Sequence, residues 1–166
     1  FTRTSQDECL VFPPFFSGKS RDLLNVMVID LRHDELRFTT EPSLLKVLRK
    51  VGVDLKPIPC GGPDLIRQQR EQWTDGANAF CLAPGVIFSY ERNVGTAEEL
   101  SRAGYRVLPV RKLLADPTID LLDGTKYLIQ LECGELSRAR GGPRCMTPWC
   151  ACGRSPTPTP PVNRPD

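Results

Sequence analysis

The sequence has no long apolar run: the best candidate, around Leu23 to Leu31, is interrupted by Asn25 and Asp30. No segment is therefore long and apolar enough to cross a bilayer as a helix, and no membrane partner is expected. An excess of one charge is also missing, because 22 basic and 20 acidic residues give a formal net charge of only +2. The two signs are interspersed, so the chain lacks the concentrated basic stripe of a nucleic-acid footprint. Histidine is nearly absent: His33 is the only one, and it sits in the charged run Asp30-Leu-Arg-His-Asp-Glu35. That setting reads as an exposed turn, a poor place for a catalytic base.

Paired Cys-x-x-Cys knuckles are missing too. The seven cysteines, Cys9, Cys60, Cys81, Cys133, Cys145, Cys150 and Cys152, form an odd, irregularly spaced set. This argues against a disulfide framework and for reduced thiols in the cytoplasm, with Cys81 a small core residue inside an apolar run. Cys133, Cys145, Cys150 and Cys152 superficially offer four thiolates to zinc, but without knuckles they make a weak metal site. The chain starts at Phe1 without an initiator Met, a basic n-region or an apolar h-region, as if in mid-sequence. What is present is a hydrophobic fraction of 40% in 166 residues, enough to bury one core of moderate size.

The apolar pattern is that of strands and helices in alternation. Glu8 to Phe12 and Leu23 to Leu31 read as strands. Pro42 and Ser43 then open a helix in which Leu44, Leu45, Val47 and Leu48 recur at helical spacing. Gly52 supplies a left-handed stop, and Val53 to Ile58 is a short strand closed by Pro57 and Pro59. The order recurs: strands at Ala77 to Ala83 and Val86 to Tyr90 flank a Pro84-Gly85 turn. Thr96 caps a helix over Ala97 to Ala103, Gly104 stops it, and Tyr105 to Leu108 is a strand closed by Pro109. Gly52-Val-Asp-Leu-Lys-Pro57 thus aligns with Gly104-Tyr-Arg-Val-Leu-Pro109 at an offset of about 52 residues, which predicts a repeated strand-strand-helix-strand unit. A third unit begins at Thr125 to Leu131 and ends near Cys145 to Thr147. The segment 151–166 is dominated by Pro, Thr, Ser, Arg and Asn, and is expected to be a disordered tail.

The loop Gly134-Glu-Leu-Ser-Arg-Ala-Arg-Gly-Gly-Pro-Arg-Cys145-Met-Thr carries the most chemistry. It places a thiol directly after Arg144 and five residues after Arg140. Guanidinium charge near sulfur favours the nucleophilic thiolate, and glycines admit a ligand close to the backbone. The alternative is a buried cysteine that begins a core strand after a flexible basic loop.

Arg140-Gly-Gly-Pro-Arg-Cys145-Met resembles the nucleophile loop that ends the catalytic domain of arginine deiminases. Cys60-Gly-Gly, Arg70-Glu-Gln-Trp-Thr-Asp-Gly-Ala-Asn78, Leu82-Ala-Pro-Gly85 and Tyr90-Glu-Arg-Asn93 follow the same family's order and approximate spacing. The resemblance implies an α/β chain forming about half of a pentein propeller, a ring of five strand-strand-helix-strand blades, with residues 1–150 the C-terminal part of the catalytic domain. It further implies hydrolysis of L-arginine to citrulline and ammonia, with Cys145 attacking the guanidinium carbon and no metal or organic cofactor. Arg140 would pair with the substrate carboxylate, while Ala139 and Arg144 would line the same pocket. A His-x-Asp segment and further acidic groups, found upstream in the family, are not in this chain, so the piece alone is expected to be inactive. The full-length form is a possible homo-oligomer.

Departures from the pattern are Ala139, where related loops carry Gly, and Pro148-Trp-Cys-Ala-Cys-Gly-Arg-Ser, where an apolar strand would continue. If position 139 needs positive φ, alanine is strained there. Asp75 and Asn78 read as a turn closed on its own backbone rather than as catalytic groups, and Glu132 and Glu135 as surface carboxylates. The competing reading for the whole chain is a non-catalytic pentein-like binding or assembly module.

Overall fold

The computed structural model describes residues 1–16, 25–31, 36–132, 135–139 and 141–147. Its strands are β1 (Thr2–Arg3), β2 (Glu8–Val11), β3 (Val26–Asp30), β4 (Arg37–Glu41), β5 (Lys56–Pro59), β6 (Phe80–Ala83), β7 (Val86–Tyr90), β8 (Arg106–Pro109) and β9 (Tyr127–Leu131). Its helices are α1 (Pro13–Phe16), α2 (Leu44–Lys50), α3 (Leu65–Trp73), α4 (Val94–Arg102) and α5 (Val110–Ala115), with 3-10 turns at Leu136–Ala139 and Pro143–Met146. This is a mixed α/β arrangement with three sheets ordered β1-β2-β5, β3-β4 and β6-β7-β9-β8.

The four-stranded sheet holds the centre. β7 runs antiparallel to β6 and parallel to β9, which is also parallel to β8. Tyr127, Leu128 and Ile129 at the start of β9 are all buried because both faces of this sheet are covered. Alternation sorts the side chains. Ile87 and Leu128 join Leu10, Ile58, Cys60, Leu100 and Tyr105 in one cluster, whereas Val86, Tyr127, Ile129 and Leu108 face a second cluster containing Val110 and Leu113. α4 belongs to the first layer and α5 to the second.

Two bridges join the first sheet to the four-stranded one. Gly85 N–H donates to the Thr4 carbonyl at 2.8 Å. Buried Glu8 accepts from Lys126 Nζ at 3.0 Å and from the Tyr105 hydroxyl at 3.1 Å, while Lys126 Nζ lies 4.8 Å from the Tyr105 ring centroid. Burial and the Glu8 charge both raise the Tyr105 phenol, burial being the larger cause. The Glu8 carboxylate is thus buried with its charge balanced and its oxygens satisfied.

The predicted repeat is present at its corner. Gly52 and Gly104 have φ of 85° and 89°. Behind them Val53 N–H bonds the Leu48 carbonyl and Tyr105 N–H bonds the Leu100 carbonyl, each at 2.9 Å, while Gly52 and Gly104 bond Arg49 and Ser101. Both helices therefore end in the same Schellman geometry. The following strands do not keep the offset, since β5 runs on to Pro59 while β8 stops at Pro109.

Several expectations change. The hairpin that precedes α2 is β3-β4, not Glu8 to Phe12 with Leu23 to Leu31. β2 instead pairs in parallel with β5. β4 was not foreseen because its sequence, Arg37-Phe-Thr-Thr-Glu41, is almost wholly exposed and has no alternation to read. α4 starts at Val94 with Asn93 in the cap position, so Thr96 lies inside the helix rather than capping it. Cys81 is buried as expected, but it is disulfide-bonded, contrary to the expectation of reduced thiols throughout.

Candidate active site

The polar core between α3 and α4 gathers most of the sequence blocks noted above. α3 carries a buried Glu71, whose Oε1 accepts from Gly95 N–H at 2.7 Å and whose Oε2 accepts from Thr96 N–H at 2.8 Å and the Thr96 hydroxyl at 2.7 Å. These are N–H groups that the first turn of a helix leaves without partners, so a carboxylate from a neighbouring helix caps α4 and meets its positive end. Thr96 Oγ1 in turn accepts from Gly61 N–H at 2.9 Å. Gly76 must be glycine here: a Cβ would come within 2.7 Å of Cys60 Sγ and 2.9 Å of the Glu71 carbonyl.

Cys60 is not a nucleophile in this setting. It is fully buried, and burial pushes its thiol up to about 11, reinforced by the Glu71 charge and opposed by the Thr96 hydrogen bond. Cys9 is likewise raised to about 11 by burial. Cys145 differs from both: it is a free, exposed thiol in the 3-10 turn Pro143–Met146. The alternative of a buried cysteine opening a core strand is therefore overturned.

The loop that carries Cys145 is tied down at successive points. Arg92 Nη1 donates to the buried Ser137 hydroxyl at 3.1 Å, and the Tyr90 hydroxyl donates to the Gly141 carbonyl at 2.6 Å. Arg144 Nη1 donates to the Phe1 carbonyl at 3.2 Å. Gly142 sits directly on Asn78, where a Cβ would come within 2.4 Å of the Asn78 carbonyl oxygen and 2.6 Å of its Cγ. Asn78 Nδ2 is 2.9 Å from Cys145 Sγ and 3.3 Å from Asp75 Oδ1.

Asn78 closes the turn that follows α3, its N–H bonding the Asp75 carbonyl at 2.9 Å. Asp75 has φ of 60° and is the one non-glycine residue with positive φ among the described residues. Its Oδ2 is buried with no hydrogen-bond partner among them. The turn read from the sequence is thus present, and it also delivers a carboxamide to the thiol, which the reading of Asp75 and Asn78 as a turn alone missed. The signal was the resemblance block itself, since local turn propensity could not say that a segment 67 positions away would dock on it.

The other expected residues are distributed as follows. Ala139 ends the 3-10 turn Leu136–Ala139. Arg140, His33, Cys133, Cys150, Cys152 and the 151–166 tail lie outside the described residues. Among those described, no group of three or more His, Cys, Asp or Glu could hold a metal ion, and no helix is long and apolar enough to cross a membrane. Glu132 pairs with Arg111, and exposed Glu135 pairs with Arg138 at 3.1 Å, as surface carboxylates do. A cleft of about 620 Å³ lined by Arg67, Arg70, Trp73, Thr74, Arg92 and Val94 does not include Cys145.

Residues 1–150 match the family model for arginine deiminase. The chain is 34% identical over 149 residues to an arginine deiminase of Bacillus cytotoxicus, covering 89% of this chain and 31% of the relative. An arginine deiminase of Bacillus cereus is 34% identical over 151 residues with the same coverage. One from Latilactobacillus sakei is 38% identical over 117 residues, covering 69% of this chain and 24% of the relative. The chain therefore spans less than a third of these relatives' length. With residues 1–150 matched by the family model, the chain belongs to the arginine deiminase family.

Proposed function

We propose that this chain is the nucleophile-bearing C-terminal part of an arginine deiminase, which hydrolyses L-arginine to L-citrulline and ammonia. The observation that carries the reading is the exposed Cys145 thiol, on a loop anchored by Tyr90, Arg92 and Asn78, all from blocks the family shares. In this reading the Cys145 thiolate attacks the guanidinium carbon, forming an S–C bond. The tetrahedral species expels ammonia as the C–N bond breaks, leaving a covalent thiouronium. Water then attacks the same carbon, the S–C bond breaks, and citrulline leaves with the thiolate restored. The histidine that activates this water, and the carboxylates that hold the guanidinium, belong to the upstream part of the enzyme.

Arg140 would bind the substrate carboxylate as a bidentate partner, with Ala139 and Arg144 beside it. Residues 1–150 would complete about half of a five-bladed propeller, followed by a 151–166 tail. The Schellman corner repeated in α2 and α4 supports a repeated unit. Such a half-ring exposes strand edges and is inactive alone.

The test is to join or mix this chain with the upstream part of an arginine deiminase and measure citrulline release. Activity in the combination, none from either piece alone, and at least a thousandfold loss in Cys145→Ser are expected, on the order of the loss when a covalent nucleophile is removed. Citrulline release by the Ser variant contradicts the nucleophile assignment. A non-catalytic assembly module yields a complex without citrulline.

A further inference from the structure

We propose that Asn78 is a positioning residue for the reactive thiolate, holding Cys145 Sγ through its carboxamide N–H. The inference rests on the reading of Cys145 as nucleophile and adds a residue to that site. A carboxamide nitrogen has two hydrogens to give. Here one is directed at Asp75 Oδ1 at 3.3 Å and the other at Cys145 Sγ at 2.9 Å. Asp75 settles which way the amide faces, since an ionised carboxylate only accepts and an inverted amide would set oxygen against oxygen. The same inversion would set that oxygen against the sulfur, so the orientation imposed by Asp75 is the one that offers the sulfur a donor.

The backbone makes this contact specific. Asp75 holds φ of 60° in a turn closed by the Gly76 N–H bond to the Glu71 carbonyl at 2.7 Å, so the turn that carries Asn78 is held by bonds of its own. Gly142 lets the loop rest on the Asn78 backbone, where no side chain fits, and the Cys145 N–H bonds the Gly142 carbonyl at 2.9 Å. Only Pro143 and Arg144 thus separate the seat from the sulfur, and Gly142 and Cys145 both touch Asn78. A hydrogen bond to an ionised acceptor in such a fixed geometry is among the stronger kinds.

The test is site-resolved alkylation of the full chain with iodoacetamide across a pH series, read by peptide mass for wild type, Asn78→Ala and Asn78→Asp. Buried Cys9 and Cys60 stay unlabelled while the fold is intact and so report folding in the same sample. At neutral pH, Cys145 labelling should slow roughly tenfold in Asn78→Ala, the expected size for losing a hydrogen bond to a charged group. In Asn78→Asp it should slow roughly a hundredfold, because a like charge is added beside the sulfur. Both profiles should move to higher pH, whereas loss of packing alone would change the rate without moving the profile. Unmoved profiles in folded variants overturn the role of Asn78 and leave Cys145 to the citrulline assay. A wild-type Cys145 no faster than a free cysteine in a short peptide likewise overturns the role of Asn78.

Discussion

Leu48 and Leu100 occupy the same place in two helices, each accepting the bond that turns the chain back into a strand after a left-handed glycine. Yet Leu100 is fully buried in the main core, and Leu48 only packs at the margin of a smaller cluster with Cys9, Val11 and Leu55. The hairpins before them differ in the same sense. β6-β7 is built into the four-stranded sheet, while β3-β4 stands as a two-stranded ribbon that leaves Met27, Ile29 and Phe38 exposed. α4 has a tertiary cap from Glu71, and the Ser43 side chain makes no capping bond to α2. One local pattern has been given two levels of packing. The well-packed unit is the one that supplies Tyr90, Arg92 and Asn93 to the polar core and to the loop that carries Cys145.

The comparison can be tested in order of effect. Leu100→Ala should lower unfolding free energy by about 2–5 kcal/mol, the usual cost of a cavity at a fully buried leucine. Leu48→Ala should cost about 1 kcal/mol, in line with partial burial. Denaturant midpoints measure both, and equal costs would mean that the two units are packed alike. Glu71→Ala leaves two helix N–H groups buried without a partner and should cost about 2–3 kcal/mol. Its effect should be confined to the α4 unit, so exchange protection would fall at Gly95 and Thr96 but not along α2. Gly52→Ala and Gly104→Ala should each cost about 1 kcal/mol, since both need positive φ and neither Cβ meets an atom closer than 3.7 Å. A large inequality between those two would show that the corners are not equivalent.

Much of this contrast was legible where side chains follow a period. The Leu44-Leu45-Val47-Leu48 spacing gave α2, Gly52 and Gly104 gave the stops, and Pro84-Gly85 gave the turn between β6 and β7. α3 was not legible, because its buried residues are Gln68 and Glu71 while Leu65, Ile66 and Trp73 are exposed. A helix that faces a polar core inverts the pattern by which helices are recognised. Thr96 misled for a related reason: the residue type suits a cap, but its hydroxyl is used for the Glu71 and Gly61 bonds.

The sequence by itself determined the alternation of strands and helices, the glycine corners and the family, and it singled out Cys145 by its loop. These follow from local periodicity, backbone preference and multi-residue blocks, each carried by neighbours along the chain. Only the tertiary structure decided that Cys60 is buried and Cys145 exposed, that Glu71 caps a helix other than its own, and that Asn78 meets the sulfur. Burial and hydrogen bonding between segments depend on which surfaces meet, and no residue's type or spacing specifies its distant partner.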